Sequence, residues 1–271
     1  MTQDTEPTQE DRPLTRDDVL RLIKEHGRTA RDLDLSDKTF EENIDLSLQD
    51  LSGIILDRAQ LVKANLGGAI LRGASLNDAN LKAAVVKHSE LQGANLRQAN
   101  LAEADLRSAQ LQRATLAGAT LSKADLWETD LSDALLMEAN LDEANLFGAE
   151  LKGANIGRAN LRGADLWFSK WHDAQNIEYV DWGDYIIGEE LSKGYFVAGA
   201  IYRDLKQWHT QQGIYDRAGE FYYREMECRR KQVNRELKQA KRFSLGWWRS
   251  LKIAGCSWAN PRVFCVRGSG L

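Results

Sequence analysis

Every fifth residue from Leu46 to Leu166 is aliphatic. The series has 25 positions: 23 are Leu, and the other two are Val86 and Ile156. Two residues before each lies a small residue, Ala in 20 of the 25 units, with Ile44, Gln49, Ile54, Ser89 and Thr129 in the others. The position between favours Asn, Asp, Ser, Thr or Gln. The unit therefore reads A-(N/D)-L-x-x, as in Ala94-Asn95-Leu96 and Ala99-Asn100-Leu101. A repeat this regular constrains the fold before any local propensity is considered.

A period of five fits neither regular secondary structure. On an α-helix, five residues advance about 500°, so successive leucines lie about 140° apart and no apolar stripe forms. On a flat strand, an odd period sends alternate leucines to opposite faces. A turn in every unit removes the conflict. Ala and Leu, two apart, then both point inward, and the x-x pair rounds a corner. Glycines at the second x (Gly53, Gly68, Gly73, Gly93, Gly118, Gly148, Gly153 and Gly163) suit such corners. Stacked coils place Leu on Leu and Ala on Ala, about 4.8 Å apart. Each buried Leu contributes roughly 1.5–3 kcal/mol before entropy, so this column dominates stability.

These residues closely resemble the pentapeptide-repeat family, over about residues 44–170. The resemblance implies a mainly β chain: a right-handed quadrilateral β-helix with four pentapeptides, or 20 residues, per coil. It would make just over six coils, a rod about 30 Å long at that spacing. Leu33-Asp34-Leu35 and Ile44-Asp45-Leu46 read as degenerate starting coils, with a break in register between Phe40 and Leu46. The β-helix is expected over 30–175.

An open β-helix end exposes core and unpaired strands and needs a cap. Thr15 reads as the N-cap of a helix carrying Val19, Leu20, Leu22 and Ile23 and stopping at Gly27, within a capping segment 15–29. Residues 1–14 are expected to be disordered. After Trp171 the repeat decays into an acidic linker, 176–193. Two helices, 195–211 and 214–240, then flank Gln212-Gly213, within an α-helical hairpin segment 194–242. Phe196, Val197, Ala200, Ile201, Leu205 and Trp208 recur at helical spacing, as do Ala218, Phe221 and Tyr222 and, less regularly, Met226, Val233 and Leu237. Through Gly213, Tyr215, Ala218 and Tyr222 the pair resembles a single tetratricopeptide-like unit. One such unit cannot bury its own face, so it is expected to dock on the β-helix end. Similar segments follow pentapeptide repeats in longer bacterial relatives, where they can precede membrane-spanning channel segments. No such segment occurs in these 271 residues.

Charge is unevenly spread. Residues 201–271 hold 15 bases and 6 acids, although the whole chain is at -4. That asymmetry points to an anionic partner or membrane surface near the C-terminus. No apolar run reaches the length of a membrane span. The acidic, polar N-terminus is unlike a secretory signal. Three scattered cysteines (Cys228, Cys256, Cys265) form no CxxC pair, which argues against a disulfide framework or zinc site. A cytoplasmic protein is expected, peripheral at the inner face of the membrane if its tail touches lipid.

No catalytic constellation is visible. The four histidines (His26, His88, His172, His209) are scattered, and there is no phosphate loop, HExxH or nucleophile elbow. No enzyme activity, cofactor or metal is expected. Three other features stand out. Trp127, Phe147 and Trp167 occupy the first x position one coil apart, an outward aromatic ladder, with Arg107 and Lys87 below it and Arg107 placed for a cation–π contact with Trp127. The ladder is either a protein-binding stripe or a face covered by the C-terminal segment folding back. Second, eight acids and no Lys or Arg lie between Asp125 and Glu150. This raises the DNA mimicry of pentapeptide proteins that bind DNA gyrase. Against it, the 46–170 segment has 15 acids and 13 bases, far from the dense charge of DNA. Third, the basic aromatic tail, 243–271, follows Arg242. Its Phe243, Trp247, Trp248, Arg249 and Lys252 suit a membrane interface or packing against the hairpin. Binding of nucleic acid by the tail is weaker, since no recognised motif accompanies it. The expected function is a protein-interaction scaffold. A partner's identity and the oligomeric state are not written in the residues.

Overall fold

The computed structural model describes residues 12–171, 173–183, 194–211 and 213–253, with side chains through residue 239. From Asp45 to Asn155 the middle residue of each unit, usually polar, pairs in parallel with the one 20 residues on, as in Asp105 with Asp125 and Asp125 with Asn145. Four pentapeptides therefore make one coil of a β-helix. All 25 aliphatic positions from Leu46 to Leu166 are buried, as are the 20 alanines beside them. Ser89 and Thr129, which replace Ala, donate their hydroxyls to Val86 O (2.5 Å) and Leu106 O (2.8 Å), so these buried polar groups are satisfied.

Each corner is a turn closed by the Ala N–H and the preceding Leu carbonyl, as in Ala104 to Leu101 at 3.1 Å. The second x residue takes left-handed backbone at all 26 positions from Leu48 to Asp173, with φ between 52° and 68°. Eight are glycine and none of the rest is β-branched, since a branched Cβ is worst placed there. The Asn or Asp before Leu also has a task. Its Oδ1 accepts the N–H of the first x residue, as in Asn95 to Arg97 (3.2 Å) and Asn100 to Ala102 (3.1 Å). That N–H would otherwise be unpaired at the corner.

Helix α1 (Arg16–Glu25) caps the first coil. Thr15 and Asp18 form a reciprocal capping box, and Arg12 and Arg21 also donate to Asp18. Hydrogen bonds from Arg12 and Thr15 hold the Asp18 carboxyl well below the usual carboxylate range. The expectation of disorder over 1–14 is corrected at its end: Leu14 pairs with Phe40, donating to Thr39 O (2.8 Å) and accepting from Glu41 N (3.0 Å). Residues 1–11 lie outside the described residues. The register break is also resolved. Asp34 and Thr39 pair 21 residues on, with Ile55 and Gln60, whereas Asp45 pairs 20 on, so one extra residue sits between Thr39 and Asp45.

The acidic linker is corrected as well. Asn160 pairs with Asp181, and Ile177, Val180 and Trp182 are buried, so residues 176–182 complete the last coil around a short 3-10 turn (Ile177–Tyr179). Helices α2 (Tyr195–Gln211) and α3 (Tyr215–Ile253) follow as an antiparallel hairpin. The second helix continues beyond 240, through the boundary drawn at 242/243. The inward faces also differ from the expected ones. Ala198, Ile201, Tyr202, Leu205 and His209 are buried on α2, while Phe196 is 77% exposed. Tyr222, Met226, Val233 and Leu237 on α3 are exposed, and Ala218, Phe221, Glu225 and Cys228 are buried instead. Polar His209 and Glu225 complete the true inward rows, which a search for apolar residues alone does not follow.

An aromatic chain joins the hairpin to the β-helix. Trp171 lies 6.4 Å from Trp182, and Trp182 meets Phe221 edge-on at 5.8 Å. Phe221 also contacts Tyr202 and His209. The hairpin core is thereby continuous with the Leu/Ala column.

Candidate functional site

The aromatic ladder is held by the backbone on both sides. The N–H groups of Trp127, Phe147 and Trp167 donate to Asp125, Asn145 and Asp165, and their carbonyls accept from Ser108, Glu128 and Gly148 at 2.8–2.9 Å. The three rings are thus fixed on one face at the coil spacing. Trp127 and Phe147 stack with centroids 6.5 Å apart, and Phe147 meets Trp167 edge-on at 5.7 Å. Phe168, at the second x position, joins them: it stacks on Trp167 and lies 5.5 Å from Phe147. Trp127 and Trp167 are each 39% exposed and Phe168 63%. Phe147, between them, is half-buried.

Phe168 is the residue that sequence reading left out. The 20-residue periodicity selects only positions with the same register. Phe168 reaches the ladder from the neighbouring position because its left-handed backbone, at φ 59°, brings the ring round to that face.

Arg107 is placed differently from expectation. It makes no cation–π contact with Trp127; its guanidinium donates to both oxygens of Asp105 (2.8 and 2.7 Å) and lies 3.5 Å from Asp125. Two carboxylates outbid the ring quadrupole for the cation. The Arg107 hydrogen bonds hold the Asp105 carboxyl below its ordinary pKa, and Asp105 in turn raises that of Arg107.

The ladder ends in a groove. Trp167, Phe168 and Trp171 of the last coils face Ile201, Asp204 and Trp208 of α2 across a cavity of about 500 Å³. Lys170, at its edge, is engaged by Glu150. The groove is mainly apolar in lining, and Asp204 is its acid.

The acidic band is largely neutralised by adjacent coils. Asp125, Asp133, Glu138, Glu143 and Glu150, five of its eight acids, pair with Arg107, Arg113, Arg158, Lys123 and Lys170. Arg242, Phe243, Trp247, Trp248, Arg249 and Lys252 fall on the α3 backbone, with side chains outside the described residues. Among the described residues, no helix is long and apolar enough to cross a membrane. Nor do three or more His, Cys, Asp or Glu side chains converge on a metal-sized site among them. His172 lies outside the described residues. His26 contacts Arg31 O at 3.1 Å, and His209 is buried in the hairpin.

Parallel coils of five-residue turns on a Leu/Ala column define a repeat solenoid. The repeat segment belongs to the pentapeptide-repeat family: the family model described as Pentapeptide repeats matches residues 42–78, 79–118, 89–127, 114–153 and 129–167. Family membership implies a right-handed β-helix. The chain is similar to the crystal structure of Rfr23, a pentapeptide repeat protein from the cyanobacterium Cyanothece 51142, with 38% identity over 34% of this chain and a TM-score of 0.32. It spans 62% of that protein's chain. It is also similar to HetL of Nostoc sp. strain PCC 7120, involved in heterocyst differentiation regulation, with 24% identity, 59% of this chain, 94% of that chain and a TM-score of 0.27. QnrB1, a plasmid-mediated fluoroquinolone resistance protein, matches with 23% identity, 56% of this chain, 82% of that chain and a TM-score of 0.27. No curated protein matches the chain significantly.

Proposed function

We propose that the protein is a non-enzymatic interaction scaffold that presents Trp127, Phe147, Trp167 and Phe168 to a protein partner. One observation carries this reading: four rings form one contiguous cluster centred on a half-buried Phe147, with Trp127, Trp167 and Phe168 exposed around it. Contiguous exposed aromatic surface marks interfaces, and rigid rings lose little entropy on binding. Replacing all four with Ser tests it. Partner capture from the source cell is expected to be lost while cooperative melting is kept. Retained capture contradicts the proposal.

A second reading concerns the C-terminus. The α3 backbone is helical through Ile253, which makes a helix of the segment holding Arg242, Trp247, Trp248 and Lys252. Basic and tryptophan-bearing helices suit an anionic membrane surface. Flotation with anionic liposomes is expected for the full chain and lost in a 1–240 truncation; equal flotation contradicts it. Gyrase-directed DNA mimicry is disfavoured by the paired charges of the acidic band, which alternate in sign where DNA carries a single one. No effect on gyrase supercoiling is expected at excess protein.

A further inference from the structure

We infer that the groove between the end of the aromatic ladder and α2 receives a cationic side chain, arginine or lysine, from the protein partner. The inference rests on the ladder being a docking surface and specifies what docks at its end.

Trp167, Phe168, Trp171 and Trp208 supply aromatic surface around the cavity. Ring faces attract cations, most strongly where water is partly excluded. Asp204 adds a full negative charge to the same wall. Its carboxylate has no hydrogen bond or ion pair to a described residue. Asp204 is exposed at the rim; partial desolvation raises its pKa above the ordinary value, while the nearby Arg203 charge pulls it the other way. The nearby bases are engaged elsewhere. Arg203 donates to Glu225 at 3.2 Å, and Lys206 donates to the same carboxylate at 2.9 Å. Lys170 is held by Glu150. The groove therefore offers, beside its aromatic rings, an exposed carboxylate that makes no ion pair within 4 Å to a described residue. A neutral apolar residue would leave that carboxylate without an ion pair, and an acidic one would be repelled. The long stems of arginine and lysine pack on apolar walls while the head reaches a carboxylate.

The test uses the full chain and two peptides, acetyl-Leu-Arg-Leu-amide and its citrulline counterpart, which keeps the shape and removes the charge. Calorimetric titration should show the arginine peptide binding at least tenfold tighter. Asp204→Asn should abolish that preference without moving the melting temperature or the affinity for the citrulline peptide. Equal binding of the two peptides, or a preference that survives Asp204→Asn, overturns the cationic assignment and leaves the docking reading standing. Absence of arginine-peptide binding up to millimolar concentration overturns it too. The docking reading itself fails separately, if the four-Ser variant still captures its partner.

Discussion

Trp167 and Phe168 are consecutive in the chain and lie face to face, centroids 4.9 Å apart and planes 13° from parallel. Consecutive residues of an extended strand point to opposite faces. Here the corner reverses that rule. Left-handed backbone at Phe168 brings its ring back beside the Trp167 ring, and the pair widens the ladder just where it meets α2.

The corner conformation gives a stability test. Ala83 holds φ 56° and Gly73 φ 62°, and a Cβ at Gly73 would meet nothing within 4 Å. Backbone preference alone is thus at stake. Ala83→Gly should raise stability by about 1 kcal/mol or less, strain relief being partly offset by unfolded-chain entropy. Gly73→Val should lower it by about 1–2 kcal/mol. Urea denaturation midpoints check both.

The polar residue of each unit should be separable into two roles at Asn145. It accepts from Phe147 N–H at 3.1 Å and donates to Asp125 at 2.8 Å. Asn145→Ala removes both and should cost about 1–3 kcal/mol, chiefly through the unpaired corner N–H. Asn145→Asp keeps the acceptor but faces Asp125, so its deficit should shrink as pH is lowered into the carboxylate range. Thermal melts at neutral and acidic pH distinguish the two variants.

His209 makes the hairpin sensitive to acid. It is fully buried, Nδ1 lies 2.8 Å from Leu205 O, and Nε2 has no partner among the described residues. Burial depresses its pKa below 6.5. The unfolded chain then binds a proton that the folded state refuses, so hairpin stability is complete above pH 6.5 and falls as pH drops below it. Far-UV melting of the helical signal between pH 7.5 and 5 should show this loss, and His209→Leu should flatten it.

The core column must resist overpacking. Ala104 is 1% exposed and opposes leucines across a narrow coil. Ala104→Leu should cost about 1–3 kcal/mol, read as a lowered melting temperature.

How much of this was legible in the sequence differs by element. The β-helix was readable because a five-residue period leaves no other way to bury Leu and Ala on one side. The ladder positions followed from the 20-residue coil, since equal register means equal face. Phe168 did not, because its membership depends on a backbone angle and not on spacing. The Arg107 contact was misjudged because a ring one coil away competes with Asp105, two residues away and bidentate. The inward faces of α2 and α3 were offset because His209 and Glu225 sit in them. Glu225 is buried beneath three cations, Arg203, Lys206 and Arg229, so a charged letter marks a core position. The last coil was hidden by decay of the repeat: Ile177, Val180 and Trp182 fill the column without its spacing.

The most direct test of the docking surface is photo-crosslinking in the source cell. p-Benzoylphenylalanine at position 147, mid-ladder, should give a discrete product with another protein. At Met137, two pentapeptides away and so on the opposite face of the coil, it should give none. Crosslinks at 147 that join only segments of this same chain, or products equal at both positions, would contradict the account.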